Sequence, residues 1–301
     1  MDELTAAGIT DPELRASYKE CKQLNKEHGK TYYLATLLLP KEKRPHVHAL
    51  YGFARFADEI VDDLKSTLTP EQKREELEKW SHQMHADIKR GSSQDKVGMA
   101  LVHTVKTFDI PLGYFEAFLH SMAMDLTVTR YATFNNLHEY VYGSAAVIGL
   151  QMVHVLGTIS DRQKALDAAE KLGVAFQLAN FIRDIGEDLD RGRIYLPLQE
   201  LADFGVSEAM MLKRKVTPEI VATLKFQISR VRTLQAESKA GISLLPASVR
   251  PCIEAASELY CGIVGEVEKI DYQVFTKRAK TSKLRRMSVA LPAWLRALAA
   301  R

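Results

Sequence analysis

Along residues 50–64, Leu50, Phe53, Ala57, Ile60, Val61 and Leu64 recur at the three-and-four spacing of an amphipathic helix. At about 100° per residue, Tyr51, Arg55, Asp58 and Asp62 then share one stripe roughly 60° wide on the other side. The acids are dense here, with Glu59 and Asp63 beside Asp58 and Asp62. A second segment repeats the arrangement. In "FQLANFIRDIGEDLDRGRIYLP" (176–197), Leu178, Ile182, Ile185 and Leu189 make the apolar side. Gln177, Asn180, Asp184, Glu187 and Asp188 face away from it in a stripe about 100° wide.

Elsewhere the pattern predicts helices almost throughout. Thr69-Pro70-Glu71-Gln72 combines a cap, a proline at the first helical position and a capping-box glutamine. Ser160-Asp161-Arg162-Gln163 reads as the same box and opens a segment reaching about Asp190. Thr10-Asp11-Pro12 and Thr217-Pro218-Glu219 open two more. "TYYLATLLL" (31–39) is ambiguous by periodicity, but its length and neighbours favour a helix. No solenoid repeat, low-complexity linker or composition break divides the chain. One all-α domain over residues 1–301, with ten or more helices, is expected. Within it, "YVYGSAAVIGLQ" (140–151) carries Gly143, Ser144, Ala145, Ala146 and Gly149, which leave little side-chain bulk. Such a run serves close helix contact or room for a long apolar ligand, and different faces of one helix can do both.

Composition narrows the class. With 46% hydrophobic and 26% charged residues among 301, and only 16 glycines and 10 prolines, the chain reads as soluble, globular and rich in long helices. A net charge of +3, without a basic run interleaved with aromatics, gives no reason to expect nucleic acid. Cys21, Cys252 and Cys261 show no CxxC spacing, so a reducing cytoplasm is expected, without disulfides or zinc. "MDELTAAGITDPEL" at the amino end is not a signal peptide, and no run of apolar residues is long enough to span a membrane. The histidines form no HExxH, and His46 and His48, two apart, read as surface residues.

The acidic stripes suggest chemistry. Asp58 and Asp62, like Asp184 and Asp188, are four apart, which places such side chains roughly 5–6 Å from one another on a helix. Hard oxygen ligands of this kind suit Mg²⁺, with Mn²⁺ the alternative ion, bound by one or two carboxylates plus substrate phosphates. An arginine near each stripe, Arg55 and Arg183, supplies forked donors for phosphate oxygen. The pair makes a diphosphate clamp. A merely solvated face would more typically mix lysine with glutamate, and like charges four apart repel unless a cation joins them.

"YGFAR" followed by "DEIVDD" (58–63), together with the 176–197 segment, resembles the two signature regions of the squalene/phytoene synthase family. "TYYLATLLLPKEKRPHVHALYGFARFADEIVDD" and "HEYVYGSAAVIG" extend the likeness, which covers roughly residues 20–285. The resemblance implies an isoprenoid-synthase helical bundle with a central cavity, in which Mg²⁺ joins two aspartate-rich helices to two prenyl diphosphates. It implies Asp58 and Asp62 as one metal pair and Asn180, Asp184 and Asp188 as the second group. Tyr51, Arg55, Gln177 and Arg183 would line the diphosphate and reacting carbons, and Tyr260 the substrate wall. The family's amino-terminal phosphate contact, often Ser-x-Ser-Phe, corresponds to Gly29-Lys30-Thr31-Tyr32. His28, Lys30 and Thr31 would serve there, while any side-chain contact from position 29 is lost.

Within the family the likeness is to the branch that joins two geranylgeranyl diphosphates head to head, through a cyclopropyl diphosphate, without NADPH. A released phosphate oxygen or Tyr51 would take the proton. The rivals are a branch that uses farnesyl diphosphate and a non-catalytic assembly or lipid-binding relative, which would lose the metal aspartates. Finally, residues 277–301 carry Lys277, Arg278, Lys280, Lys283, Arg285, Arg286, Arg296 and Arg301 without an acid. Trp294, Leu295 and Leu298 there make the apolar face of a short interfacial helix at an anionic membrane surface, or else the segment is a solvated basic tail.

Overall fold

Helices begin where their caps stand. In the computed structural model, which describes residues 1–62 and 67–300 with the Asp62 side chain aside, the short α1 (Glu3–Ala6) precedes α2 (Pro12–His28), capped by Asp11. The expectations for the Asp62 carboxylate, for Asp63 and for Arg301 therefore lie outside the described residues. Then come α3 (Lys30–Thr36), α4 (Arg44–Asp62), α5 (Pro70–Arg90), α6 (Gly98–Phe108), α7 (Leu112–Met124) and α8 (Phe134–Val141). A π turn (Tyr142–Ala146) joins α8 to α9 (Val147–Leu156), followed by α10 (Arg162–Asp190), α11 (Leu198–Asp203) and α12 (Glu208–Leu212). The chain closes with α13 (Pro218–Ile242), α14 (Arg250–Cys261), α15 (Ile263–Lys269) and α16 (Lys283–Ala299). Among the described residues the extended pairing is one isolated bridge, Arg130 to Ile194.

The box at Thr69 and Gln72 is present in both directions, and Thr217 caps α13. At α10 the cap is Asp161 and not Ser160: its carboxylate accepts from the Lys164 amide at 3.1 Å. The segment 31–39 is helical only to Thr36 and then turns.

α10 runs through the middle, with α13, α9, the π turn, α14 and α15 around it. Two large apolar clusters hold the bundle, one centred on α10 and α13, the other on α4, α7, α9 and α14, and Tyr142 and Ile253 pack against both. Gly143 lies so close to α7 that a Cβ there would stand 2.1 Å from the Ala117 carbonyl oxygen. A Cβ on Gly173 would meet the Ala145 oxygen at 2.8 Å and the Ala146 Cα at 2.9 Å. Close helix contact thus accounts for Gly143 and Ala146, Ser144 and Ala145 border an open space, and Gly149 does both, since a Cβ there would stand 2.7 Å from the Ala169 carbonyl oxygen.

His46 and His48 are not surface residues; they are 3% and 0% exposed. α4 is packed by α2, α5, α6 and α7, so residues on widely separated faces of it are all covered. The Tyr18 hydroxyl lies 3.1 Å from His46 Nδ1, 2.8 Å from His103 Nδ1 and 2.8 Å from Thr104 Oγ1. Asn25 Nδ2 donates to His48 Nδ1 at 2.9 Å. Burial pushes the His46 imidazole down to about 3 and His48 to about 4.

Candidate active site

α4 and α10 each send part of a polar stripe to one cleft, the Asp184 and Asp188 carboxylates lying outside it. Tyr51 and Asp58 from α4, Gln177 from α10, and Asp125, Arg191 and Arg193 from the connecting segments line a space of about 400 Å³. Next to it lies an apolar cavity of about 290 Å³, bordered by the small residues Ala145, Gly149, Ala169 and Gly173 and by Thr36 and Tyr260. Tyr32, Ser144 and Ile148 line both spaces, so the charged cleft and the apolar cavity adjoin at these three side chains. Tyr51 lies over Tyr32, with ring centroids 5.6 Å apart, and Phe176 stacks on Tyr260 at 4.9 Å.

The second acidic group is graded along α10. Asn180 borders the apolar cavity, and its buried Oδ1 has no hydrogen-bond partner. One turn on, Asp184 is gripped from two sides. Arg183 donates to it through Nε at 2.7 Å and also through Nη2, and Arg278 donates Nε at 2.8 Å and Nη2 at 3.2 Å. Arg278 also pairs with Glu187 at 3.2 Å. Burial alone would raise the Asp184 carboxyl, but these arginine hydrogen bonds outweigh it and hold the group below its ordinary range. Asp188 lacks such a grip. Burial, then the neighbouring Asp184 charge, push it up to about 7.

A cation suits this arrangement. An orphaned amide oxygen, a carboxylate held by two guanidinium groups and a third carboxyl that resists ionisation are hard oxygens at successive turns of one helix. Among the described residues no three acids, histidines or cysteines gather tightly enough to hold a metal alone.

Other expected site residues stand apart. Arg55 is turned to its own helix, pairing with Glu59 at 3.0 Å. His28, Lys30 and Thr31 are exposed at the junction of α2 and α3 and line neither space. Gly29 between them has its own reason: a Cβ there would lie 2.6 Å from the Tyr51 ring. The tyrosine occupies the room that a side chain at 29 would need.

Several further groups meet at the site. Asp125 accepts from the Tyr140 hydroxyl at 2.8 Å and the Tyr195 hydroxyl at 3.3 Å, and pairs with Arg193 at 3.6 Å. Arg193 and Tyr195 lie within the 176–197 motif, where their polarity at the end of an apolar helix was the available signal. Asp125 had none. Arg278 was read with the basic tail, yet it reaches the acids of α10.

A helical bundle with an acid-lined cleft beside an apolar cavity fits the terpenoid-synthase fold, and solved structures share that fold. A dehydrosqualene synthase in complex with ligand superposes with a TM-score of 0.85 at 27% identity, covering 97% of this chain and 98% of that one. The squalene synthase HpnC from Alicyclobacillus acidocaldarius shares the fold, with a TM-score of 0.81 at 23% identity over 89% of this chain and 98% of its own. The chain belongs to the squalene/phytoene synthase family, whose model matches residues 25–285. It is 37% identical over 284 residues to the chloroplastic phytoene synthase of Narcissus pseudonarcissus, covering 93% of this chain and 66% of that protein. To the 15-cis-phytoene synthase of Synechocystis it is 36% identical over 292 residues, covering 93% and 85%. The chain thus spans slightly less than two thirds of the daffodil protein and most of the cyanobacterial one. The relatives are prenyltransferase-type enzymes.

Proposed function

We propose that this protein is a phytoene synthase, condensing two geranylgeranyl diphosphates head to head without NADPH. The observation that carries the reading is the adjacency of charged cleft and apolar cavity: diphosphates would be held at the charged end while prenyl chains extend among Ala145, Gly149 and Gly173. Asp58 on α4, with Asp62, and Asn180, Asp184 and Asp188 on α10 would hold Mg²⁺, with Mn²⁺ an alternative. Once bound, the ion would neutralise the leaving diphosphate.

The remaining work falls to the chain itself. Arg191 and Arg193 line the cleft and would turn forked donors to phosphate oxygens, while Arg183 and Arg278 would have to share their donors between phosphate and Asp184. Loss of diphosphate from one substrate leaves an allylic cation, which the double bond of the second attacks. Proton loss closes a cyclopropyl diphosphate, and a second ionisation, rearrangement and proton loss give the hydrocarbon. The apolar walls exclude water, and the faces of Tyr32, Phe176 and Tyr260 favour positive charge. Burial, opposed by the Arg55 charge, raises Tyr51 above the ordinary tyrosine range. It therefore stays a phenol and donates, and the released phosphate oxygen is the better base. A peripheral place at an anionic membrane belongs to the same reading, because the product is insoluble in water.

The likeness to a dehydrosqualene synthase favours a second reading, with farnesyl diphosphate as substrate. Incubation with each diphosphate separately and Mg²⁺, without NADPH, followed by identification of the hydrocarbon, separates them. Phytoene from geranylgeranyl diphosphate is expected. Consumption of farnesyl diphosphate alone, or a need for NADPH, would overturn the first reading.

A further inference from the structure

α16 carries two apolar faces where a helix packed on a soluble domain needs one. Val289, Ala293 and Ala297 are buried, and Val289 and Ala293 join the cluster that includes Leu245, Val249, Cys252 and Ala255. On the other side Leu284, Met287, Leu291, Trp294, Leu295 and Leu298 are between 45% and 80% exposed. At about 100° per residue these six form a continuous stripe roughly 100° wide. Single exposed leucines are ordinary, but six large apolar side chains in line are not.

The charges around the stripe say what covers it. Arg285 pairs with Glu258 at 2.7 Å and Arg296 with Glu254 at 2.6 Å, both on α14, so these two pin the helix to the body and orient the stripe outward. Lys283 and Arg286 remain exposed, as does Lys280 just before the helix, and no acid occurs from residue 277 to the end. Lys283 flanks the stripe, and with Lys277, Lys280 and Arg286 it makes this end of the chain basic, which complements anionic headgroups over acyl chains. No helix among the described residues is long and apolar enough to cross a membrane, so such contact would be in the plane of the surface.

We infer that α16 is an in-plane membrane helix that seats one side of this protein on an anionic lipid surface. The inference rests on the peripheral-membrane part of the proposed function and is independent of which diphosphate is used. The seat is placed to purpose. α14, onto which α16 is pinned, has Cys252, Ile253, Ala256 and Tyr260 on the wall of the apolar cavity. α14 and α16 would then separate the cavity from the bilayer.

The test uses the full chain without substrate, sedimented with vesicles of phosphatidylcholine alone or with about a third phosphatidylglycerol. Retention on the anionic vesicles is expected, falling about tenfold on neutral ones and in the double variant Leu291→Ser, Leu295→Ser. Those side chains touch neither cleft nor cavity, so turnover of the variant in detergent should match the parent and show it folded. In a Trp80→Phe background the emission of Trp294 should shift to the blue on binding. Equal sedimentation of parent and variant would overturn the inference. So would a dimeric parent that the variant splits into monomers, since the stripe would then be a subunit contact.

Discussion

Replacing Ala145 and Ala146 separately by phenylalanine should give two different failures, although the residues are adjacent and identical. Ala145 borders the apolar cavity of about 290 Å³, opposite Gly173. A benzyl group there takes up space that the far end of a prenyl chain would use. A C20 chain exceeds a C15 chain by five carbons, each worth about 0.8 kcal/mol when buried, so losing that segment costs at most about 4 kcal/mol. Since about 1.4 kcal/mol is a factor of ten, kcat/KM for geranylgeranyl diphosphate should fall roughly 10²–10³-fold in Ala145→Phe, and that for farnesyl diphosphate by less than about tenfold. Ala146 is fully buried, with its Cα 2.9 Å from where a Cβ of Gly173 would be. Phenylalanine there forces α10 away and costs at least about 3 kcal/mol, lowering the melting temperature or preventing folding. Steady-state rates with both diphosphates and thermal melts of both variants decide the matter. Parallel loss of both substrates in a folded Ala145→Phe protein would refute the assignment of the cavity to chain length. So would an Ala146→Phe protein as stable as the parent.

Asp58→Asn, Asp184→Asn and Asp188→Asn should each lower turnover by about 10²-fold or more, and EDTA should abolish it reversibly. Their melts should differ: Asp184→Asn strips Arg183 of its anion, leaves Arg278 with Glu187 alone and lowers stability, whereas Asp188→Asn removes a buried, repelled charge and does not. Near-full turnover in any two of the three would refute the clamp. His46 and His48 stay neutral in the fold, while in the unfolded chain they take up protons near 6.5. Their contribution to stability is therefore whole above that pH and is lost as pH falls toward 4, by about 1.4 kcal/mol per histidine per pH unit. Urea unfolding at about pH 7 and about pH 5.5 should show a smaller loss in a His46→Asn, His48→Asn variant, and an identical loss would contradict the burial argument.

Much of the helical frame was legible because it is written locally. The box at Thr69 and Gln72, the Asp11-Pro12 start and the Thr217 cap each act over three residues, and the two acidic stripes need only one helix apiece. What failed depended on neighbours. Spacing on α4 alone makes His46 and His48 look exposed, and only the packing of α2 and α6 against it shows that they are not. Arg278 meets Asp184 across 94 positions of sequence, and Asp125 meets Tyr195 across 70, distances at which no periodicity carries information. The small run at 143–149 was readable as two-sided but not in detail, since nothing local tells Ala145 from Ala146.

The π turn at Tyr142–Ala146 acts as a phase shifter. A wider turn admits one residue more than an α turn, which rotates everything downstream by about 100°. Before it, Tyr140 points to the charged cleft; after it, Ile148, Gly149 and Met152 wall the apolar cavity. Drawing all five residues into regular α bonding would instead turn α9 about its axis by about 100°. Gly149 would leave the Ala169 carbonyl, where a Cβ would stand only 2.7 Å away, and a bulkier residue would arrive in its place. The more regular helix would make the poorer chamber.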